Sequence, residues 1–237
     1  MKNHYSATFD ERVTVFLPCR AGSERIPNKN TKIFAGIDGG VLTIKLRQLV
    51  DSTMTHSVIL STNDSKVIEI AESFGSDKIV FDRRPEELAT SKTSTDELIN
   101  YVPKVIQANH ILWTHVTSPF IDAGIYDEAI AKYFLSLKES SHDSLMAVNK
   151  MQTFLWEKGK PINYNREHEK WPRTQTLPVY YEINSGFFIS SRQNYINYED
   201  RIGMKPFLFE LKSTSSFDID WPDDFELAEM IFKKKYD

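Results

Sequence analysis

Apolar positions along this chain fall into short runs separated by segments of helical period. Val13-Thr14-Val15-Phe16-Leu17 is β-branched and aromatic and closes on Pro18, which predicts a buried strand running into a loop. The loop, from Cys19 to about Thr31, is rich in Gly, Ser, Asn and cations. Leu42, Leu46 and Leu49 share one face of a helix over about 42–51. Val58-Ile59-Leu60 predicts the next strand. Val67, Ile68, Ala71 and Phe74 predict a helix that starts near Asp64 and that Gly75 is placed to end. Lys78 to Phe81 reads as a further strand, and Thr95 to Gln107 as a helix disturbed by Pro103. Ile111-Leu112-Trp113 is a strand, Asp122 opens a helix with Ile125, Ala129, Ile130 and Phe134 on its apolar face, and Leu145-Met146-Ala147-Val148 is again a strand. This alternation predicts an α/β fold with a mostly parallel sheet.

The alternation breaks between Asn149 and Ile183, where the chain is polar and aromatic and carries Pro161, Pro172 and Pro178. That stretch reads as an inserted lobe or arm. Regularity returns at Phe187-Phe188-Ile189 and Phe207-Leu208-Phe209. A last helix covers about 223–234, with Pro222 suited to its first turn and Asp223 and Asp224 complementing its dipole. No repeat or flexible linker divides the chain, so residues 1–237 are read as one domain with an arm.

Composition narrows the function. Of 237 residues, 41% are hydrophobic and 26% charged, and the net charge is −4. These are globular values, and without a basic excess nucleic acid is not expected as a partner. A small anionic substrate stays open, because a few cations in a cleft suffice for it. Cys19 is the single cysteine, which excludes an internal disulfide framework and a thiolate zinc cluster and points to a reducing compartment. It fits a small buried residue better than a reactive thiol. Met1 to Glu11 is polar and lacks the apolar segment of a secretory signal. No apolar run approaches the roughly 20 residues of a membrane span, so a cytoplasmic protein is expected.

Several chemistries find no motif. The sequence has no G-x-G-x-x-G after a strand, no P-loop, no H-E-x-x-H and no G-x-S-x-G. The six histidines, His4, His56, His110, His115, His142 and His168, are scattered. Four segments remain. Arg20-Ala21-Gly22-Ser23-Glu24-Arg25-Ile26-Pro27-Asn28-Lys29-Asn30 follows a buried strand, where open α/β sheets place ligands. Its backbone N–H groups and cations suit a polyphosphate, although composition alone favours a solvated turn of mixed charge. In Phe217-Asp218-Ile219-Asp220, carboxylates at i and i+2 face one side of an extended chain and suit Mg²⁺, or one of them caps the next helix. Thr117-Ser118-Pro119 puts hydroxyls at a strand's carboxyl end, fit for a sugar or base or for a plain connection. Pro172-Arg173-Thr174-Gln175-Thr176-Leu177-Pro178 offers a carboxylate clamp in Arg173, or an exposed loop cation.

Taken in order, these segments resemble the cytidylyltransferases that activate acidic nine-carbon sugars, the CMP-sialic acid synthetases and their pseudaminic and legionaminic acid relatives. The family pattern A-R-x-G-S-K-x-x-P-x-K-N matches Cys19 to Asn30, S-T-D-D matches Ser61-Thr62-Asn63-Asp64, and R-P-x-x-L-A matches Arg84 to Ala89, followed by Thr93-Ser94-Thr95-Asp96. Q-P-T-S-P matches His115 to Pro119. R-x-Q-x-L-P and a following N-G match Arg173 to Pro178 and Asn184 to Gly186, and D-I-D matches Asp218 to Asp220. The resemblance runs from about Val13 to Glu229.

It implies a Rossmann-like nucleotidyltransferase sheet and a homodimer, with residues 149–183 as dimerisation arm. It also implies transfer of CMP from CTP to an acidic sugar with release of pyrophosphate. Arg20 and Lys29 would hold the triphosphate, with Ala21, Gly22, Ser23 and Arg25 around it. Asn30, Arg84, Thr95 and His115 match nucleotide-binding positions. Thr117, Ser118, Arg173, Gln175 and Asn184 match sugar-binding positions, Arg173 toward the carboxylate. Asp218 and Asp220 would hold Mg²⁺.

The chain departs from the pattern at identifiable places. Glu24 stands where a phosphate-binding Lys is usual, with Arg25 beside it to compensate. Asn63 replaces the first Asp of S-T-D-D, His115 and Val116 replace Gln-Pro, Trp156 falls near a sugar-contacting Lys, and Ser185 separates Asn184 from Gly186. The nucleotide half is better kept than the sugar half, so the acceptor need not be ordinary N-acetylneuraminic acid. A CMP-Kdo synthetase-like enzyme, a glycosyltransferase with a D-x-D metal site, and a non-catalytic nucleotide-binding relative are the alternatives.

Overall fold

The computed structural model describes residues 11–236; the amino-terminal stretch read for a leader, and His4 in it, lie outside the described residues except for Glu11. A seven-stranded sheet carries the fold, in the order β3-β2-β1-β4-β8-β5-β9. Its strands are β1 (Val13–Pro18), β2 (Thr55–Thr62), β3 (Ile79–Arg83), β4 (His110–Thr114), β5 (Ser144–Met151), β8 (Tyr180–Ser191) and β9 (Pro206–Glu210). β1 pairs in parallel with β2 and β4, β2 with β3, and β5 with β9. β8 alone runs antiparallel, between β4 and β5. It therefore begins at the edge where its neighbours end, and that shared edge carries every segment singled out above except the tip of the arm.

Side-chain alternation assigns each strand residue to a face. Val13, Val15 and Leu17 of β1, Leu112 of β4, and Phe187 and Ile189 of β8 pack with α1 (Gly40–Asp51), α2 (Ser65–Glu72), α4 (Ala123–Lys138) and α6 (Pro222–Tyr236). The intervening Phe16, Ile111, Trp113 and Phe188 pack with α3 (Thr95–Val105) and α5 (Arg192–Tyr198). A parallel sheet must be covered on both faces, which is why its central strands are apolar throughout. Local chemistry sets the helix starts: the side chains of Asp64, Ser94, Asp122 and Ser191 each accept a hydrogen bond from a backbone N–H of the first turn.

The structure refines three expectations. The strand expected at Lys78 to Phe81 is β3, Ile79–Arg83. The helix expected to reach Gln107 ends at Val105 with Pro103 inside it, and Arg192 donates from Nε and Nη2 to the carbonyl groups of Ile106 and Pro103 that close its end. The break expected at Asn149 comes later, because the ladder between β5 and β8 continues to Met151 opposite Tyr180. Residues 152–179 form the excursion, with a small hairpin of β6 (Trp156–Glu157) and β7 (Lys160–Pro161). Residues 180–183 of the ladder are exposed, and without a buried face they show no alternation. Large apolar side chains stay in solvent here, with Trp171 65% exposed, Ile183 57% and Ile162 55%.

Gly186 marks where β8 passes closest to its surroundings: a Cβ there would lie 2.5 Å from Ile121 Cδ1 and 2.8 Å from Asn184 Oδ1. Gly186→Ala is expected to lower stability by about 1–3 kcal/mol, the range for overpacking a filled core. A thermal or urea midpoint equal to wild type would show that β8 can shift to make room.

Candidate active site

The carboxyl ends of β1 and β4 open onto a cavity of about 190 Å³ lined by Arg20, Ser23, Lys29, Asn30, His115, Val116 and Thr117 together with Pro18. A larger, more apolar groove of about 800 Å³ lies between α4 and β9 and includes none of the candidate residues. The cationic loop is built by its own backbone. Gly22 takes φ 73°, a conformation that favours glycine, and its carbonyl and that of Ala21 accept from Arg20 Nη1 at 2.7 and 3.1 Å. Asn63 Oδ1 accepts from the Ala21 N–H at 3.1 Å, while Asn63 Nδ2 donates to Glu86 at 3.1 Å. Asn30 donates to the Arg20 carbonyl at 3.4 Å. Cys19 is buried behind the loop, and burial, with Asp64, pushes its thiol up to about 12, so it stays protonated.

Folding brings the aspartate pair to this loop across some of the longest sequence separations in the chain. Arg25 Nη1 donates to Asp220 Oδ1 at 3.1 Å, and Lys29 Nζ donates to the Ile219 carbonyl at 3.0 Å. Ser118 Oγ donates to Asp218 Oδ1 at 3.3 Å, and the Ile219 N–H donates to the Thr117 carbonyl at 2.9 Å. Ile219 is fully buried, which anchors the segment and leaves the carboxylates on either side of it at the site. Asp224, in the first turn of α6, reaches back to accept from the N–H groups of Asp220 and Trp221, which fixes the entry to that helix. Burial holds the Lys29 ammonium below its usual range, against the opposing pull of Asp220 and Asp218.

The remaining candidates divide. Arg84 is buried, its Nε and Nη2 donating to Ser61 Oγ and the Ser61 carbonyl at 3.0 and 2.8 Å. Thr95 is exposed in the first turn of α3. Asn184 is buried and its amide is fully engaged, donating to Asn149 and the Ser216 carbonyl and accepting from the Gly186 N–H. Arg173 and Gln175 are exposed on the arm, and neither lines the cavity of its own chain. His115 lines it and accepts from Trp113 Nε1 at Nε2, 3.0 Å away. Burial, and then the cations Arg201, Lys29, Lys45 and Arg84, bring the His115 ring down to about 3, so it is neutral at working pH.

Sequence reading passed over Lys45. It is fully buried on the apolar face of α1, and its Nζ donates to the Ser118 carbonyl at 2.9 Å, the Ile121 carbonyl at 3.5 Å and Tyr126 OH at 2.7 Å. Thr114 Oγ1 gives its proton to the Gly186 carbonyl at 2.7 Å, so it accepts from Tyr126 OH at 2.8 Å. The signal was available: a lysine beside Leu46, within the stripe of Leu42 and Leu49, has no route to solvent along that face.

A family model described as cytidylyltransferase matches residues 14–237. The chain belongs to the cytidylyltransferase family. An N-acylneuraminate cytidylyltransferase of Escherichia coli O18:K1:H7 is 29% identical over 94% of this chain and 53% of its own length. A pseudaminic acid cytidylyltransferase of Campylobacter jejuni is 25% identical over 93% of this chain and 96% of its own length. The chain thus spans about half of the first relative and nearly all of the second. Among solved structures, a CMP:2-keto-3-deoxy-manno-octonic acid synthetase complexed with CTP superposes with a TM-score of 0.66 at 15% identity, covering 94% of this chain and 99% of the other. A 4-diphosphocytidyl-2C-methyl-D-erythritol synthase from Anaerococcus prevotii gives a TM-score of 0.66 at 14% identity over 94% of this chain and 97% of its own. At these identities the structures establish the shared fold, as expected from the motifs.

Burial pulls the Lys45 ammonium from 10.5 down to about 7, opposed by Asp218 and Asp122. Between those values the unfolded chain holds a proton that the folded chain releases, so raising the pH favours folding. The thermal midpoint of Lys45→Met is therefore expected to gain less between pH 7 and 9 than that of wild type. Equal pH slopes would remove Lys45 as the source.

Proposed function

We propose that the chain transfers CMP from CTP to the anomeric hydroxyl of an acidic nonulosonic sugar, of sialic, legionaminic or pseudaminic type, giving CMP-sugar and pyrophosphate. The observation that carries this reading is the fastening of the Arg20–Lys29 loop to Ile219 and Asp220, in the segment that also carries Asp218, at the carboxyl edge of the sheet. That arrangement sets cations for a triphosphate against carboxylates for its counter-ion. The relatives that share sequence act, by their names, on nonulosonic acids, whereas the octonic acid synthetase shares only the fold.

In this reading the sugar hydroxyl attacks the α-phosphorus in line, a new P–O bond forms, and the bond to the β-phosphate breaks. Such a step needs positioning and charge neutralisation more than covalent help from the protein. Arg20 and Lys29 neutralise the triphosphate and the departing pyrophosphate, and the backbone N–H groups around Gly22 and Ser23 complete the cradle. Arg25 releases Asp220 and turns to phosphate when the nucleotide enters.

The donor set fits Mg²⁺. Asp218 and Asp220 supply hard oxygens, Arg25 engages only Oδ1 of Asp220, and no group of three or more potential ligands surrounds them among the described residues. One or two carboxylates, with substrate phosphates and water, is how Mg²⁺ is held. Held by Asp218 and Asp220, Mg²⁺ would supply charge neutralisation for the phosphates and a lowered pKa for the sugar hydroxyl.

The arm completes the proposal. Arg173 and Gln175 stand apart from their own cavity on a segment with exposed Trp171, Ile162 and Ile183. In a homodimer that segment buries its apolar side chains and carries Arg173 to the partner's acceptor sugar. A cytoplasmic location belongs to the same reading, with CTP as donor and the single cysteine kept as a thiol.

Pyrophosphate release is expected with Mg²⁺, CTP and one nine-carbon acid from a panel of sialic, legionaminic, pseudaminic and Kdo acids, and not with UTP, ATP or GTP. EDTA should abolish it. Lys29→Ala and Asp220→Ala should each lose at least about 10²–10³ in rate, the loss typical of one preorganised charge partner. Wild-type turnover in either variant would take that residue out of the mechanism. CTP binding with no pyrophosphate released across the panel would favour a non-catalytic nucleotide-binding protein.

A further inference from the structure

We propose that Trp221 is a positioning residue that holds the Arg25 guanidinium by its face. The edge of that guanidinium rests on Asp220 in the free protein, where it competes with a divalent cation, and swings to the nucleotide phosphates when they enter. The swing to phosphate rests on the functional reading above; the hold on Asp220 rests on geometry alone.

Trp221 is placed by its backbone. Its N–H donates to Asp224 Oδ2 at 2.7 Å and its carbonyl accepts from the Phe225 N–H at 3.1 Å, which fixes it at the entry to α6. The residue is nevertheless 59% exposed, and its ring lies against Arg25, whose Cζ is 4.6 Å from the ring centre. Arg25 is anchored from the other side, because Ile26 next to it is buried, as Ile219 is next to Asp220. Two buried isoleucines thus fix the two segments, and the guanidinium, the carboxylate and the indole meet beside them. Neither Arg25 nor Trp221 lines the cavity, so the pair reaches Asp220 from outside it.

Stacking and hydrogen bonding use different parts of a guanidinium. An aromatic ring takes the face, and the N–H groups lie in the plane and stay available. Here Nη1 alone donates to Asp220 Oδ1, at 3.1 Å, while Nε and Nη2 make no hydrogen bond among the described residues. Nor does any other group among them donate to the Asp220 carboxylate. A single bond from a fork that can make two is easily exchanged for a phosphate, which accepts two in parallel. While Arg25 stays on Asp220, a divalent cation there meets a competitor for Oδ1 and a like charge beside it. Phosphate removes both obstacles at once and brings oxygen ligands of its own. Trp221 therefore works in opposite directions on the two partners: it weakens binding of the metal alone and strengthens binding of the nucleotide alone.

Two binding measurements on the full chain test this. The first is Mn²⁺ without nucleotide or sugar, read from the loss of the free-ion EPR signal. Asp220→Asn should abolish the binding. Arg25→Gln and Trp221→Leu should each bind Mn²⁺ about threefold to tenfold tighter than wild type, the range of one exposed stacking or ion-pair contact. Trp221→Phe keeps an aromatic face and should stay within about twofold of wild type. In an Arg25→Gln background, Trp221→Leu should add nothing. An equal Trp221→Leu effect with and without Arg25, no effect in either, or Mn²⁺ that binds neither wild type nor Arg25→Gln would overturn the hold. The second is CTP in EDTA, by calorimetry. Arg25→Gln should weaken it about tenfold, as for one charged hydrogen bond, and Trp221→Leu about threefold, again only where Arg25 is present. A Trp221→Leu protein that loses affinity for both Mn²⁺ and CTP would reduce the indole to a structural role. CTP binding untouched by Arg25→Gln would overturn the swing. Wild-type protein that binds no CTP would overturn the functional reading and the swing with it, while the Mn²⁺ variants would still decide the hold.

Discussion

A buried ammonium holds this site together. An unpaired charge in a protein interior is among the most expensive groups a fold can carry, so Lys45 is tolerable only with its donors matched. Two backbone carbonyls and the oxygen of Tyr126 match them. Because one of those carbonyls belongs to Ser118, the connection from β4 to α4 is pinned from beneath. Ser118 then positions Asp218, Thr117 receives Ile219, and Ile219 receives Lys29. Through Tyr126 and Thr114 the same ammonium reaches the Gly186 carbonyl on β8, at a place where a Cβ would not fit. The loop and the aspartate pair, nearly two hundred residues apart, are thus set against each other by a group that touches neither.

What is pinned and what is free differ in energy in a way that suits a nucleotide site. The bonds of Lys45, Tyr126 and Thr114 are buried, and those of Ser118 and Lys29 partly so. The one ion pair across the site among the described residues, Arg25 with Asp220, has side chains 51% and 59% exposed. Exposed pairs contribute roughly 0–1 kcal/mol, so exchanging it for a phosphate and a cation costs little. Cations and carboxylates hold each other in place without a ligand, at a strength a polyanion easily exceeds, and the backbone beneath need not move.

Strand and helix signals were legible because each core strand alternates between two packed faces and α2, α3, α4 and α5 each open on a capping side chain. Phe16 and Trp113 on one face and Val15 and Leu112 on the other are such signals. The arm was legible only as an interruption. Its first and last ladder residues have no buried face, so nothing in their pattern marks Asn149 to Met151 or Tyr180 to Ile183 as strand. Among site residues, motif order grouped Arg20, Lys29, Thr117, Asp218 and Asp220, which the fold brings together. Motif spacing is silent on burial. Nothing in it told that Arg84 and Asn184 have their polar groups engaged within the protein, or that Lys45 and Trp113, outside every motif, determine how motif residues are held.

The departures from the family pattern follow the same logic of local satisfaction. Asn63 stands where an aspartate is usual, and its two ends do different work: the oxygen receives the Ala21 N–H of the cationic loop, while the nitrogen donates to Glu86. An aspartate could serve the first partner but would repel the second, so Asn63 and Glu86 are compatible only together. Removing that charge beside the loop also offsets part of the negative charge that Glu24 adds to it. His115 fits the same account. Where the pattern has a glutamine, whose amide can present either a donor or an acceptor, this chain has a ring whose one proton is fixed by its neighbour. The ring therefore offers a donor there and no acceptor, whereas a glutamine amide could turn to offer either.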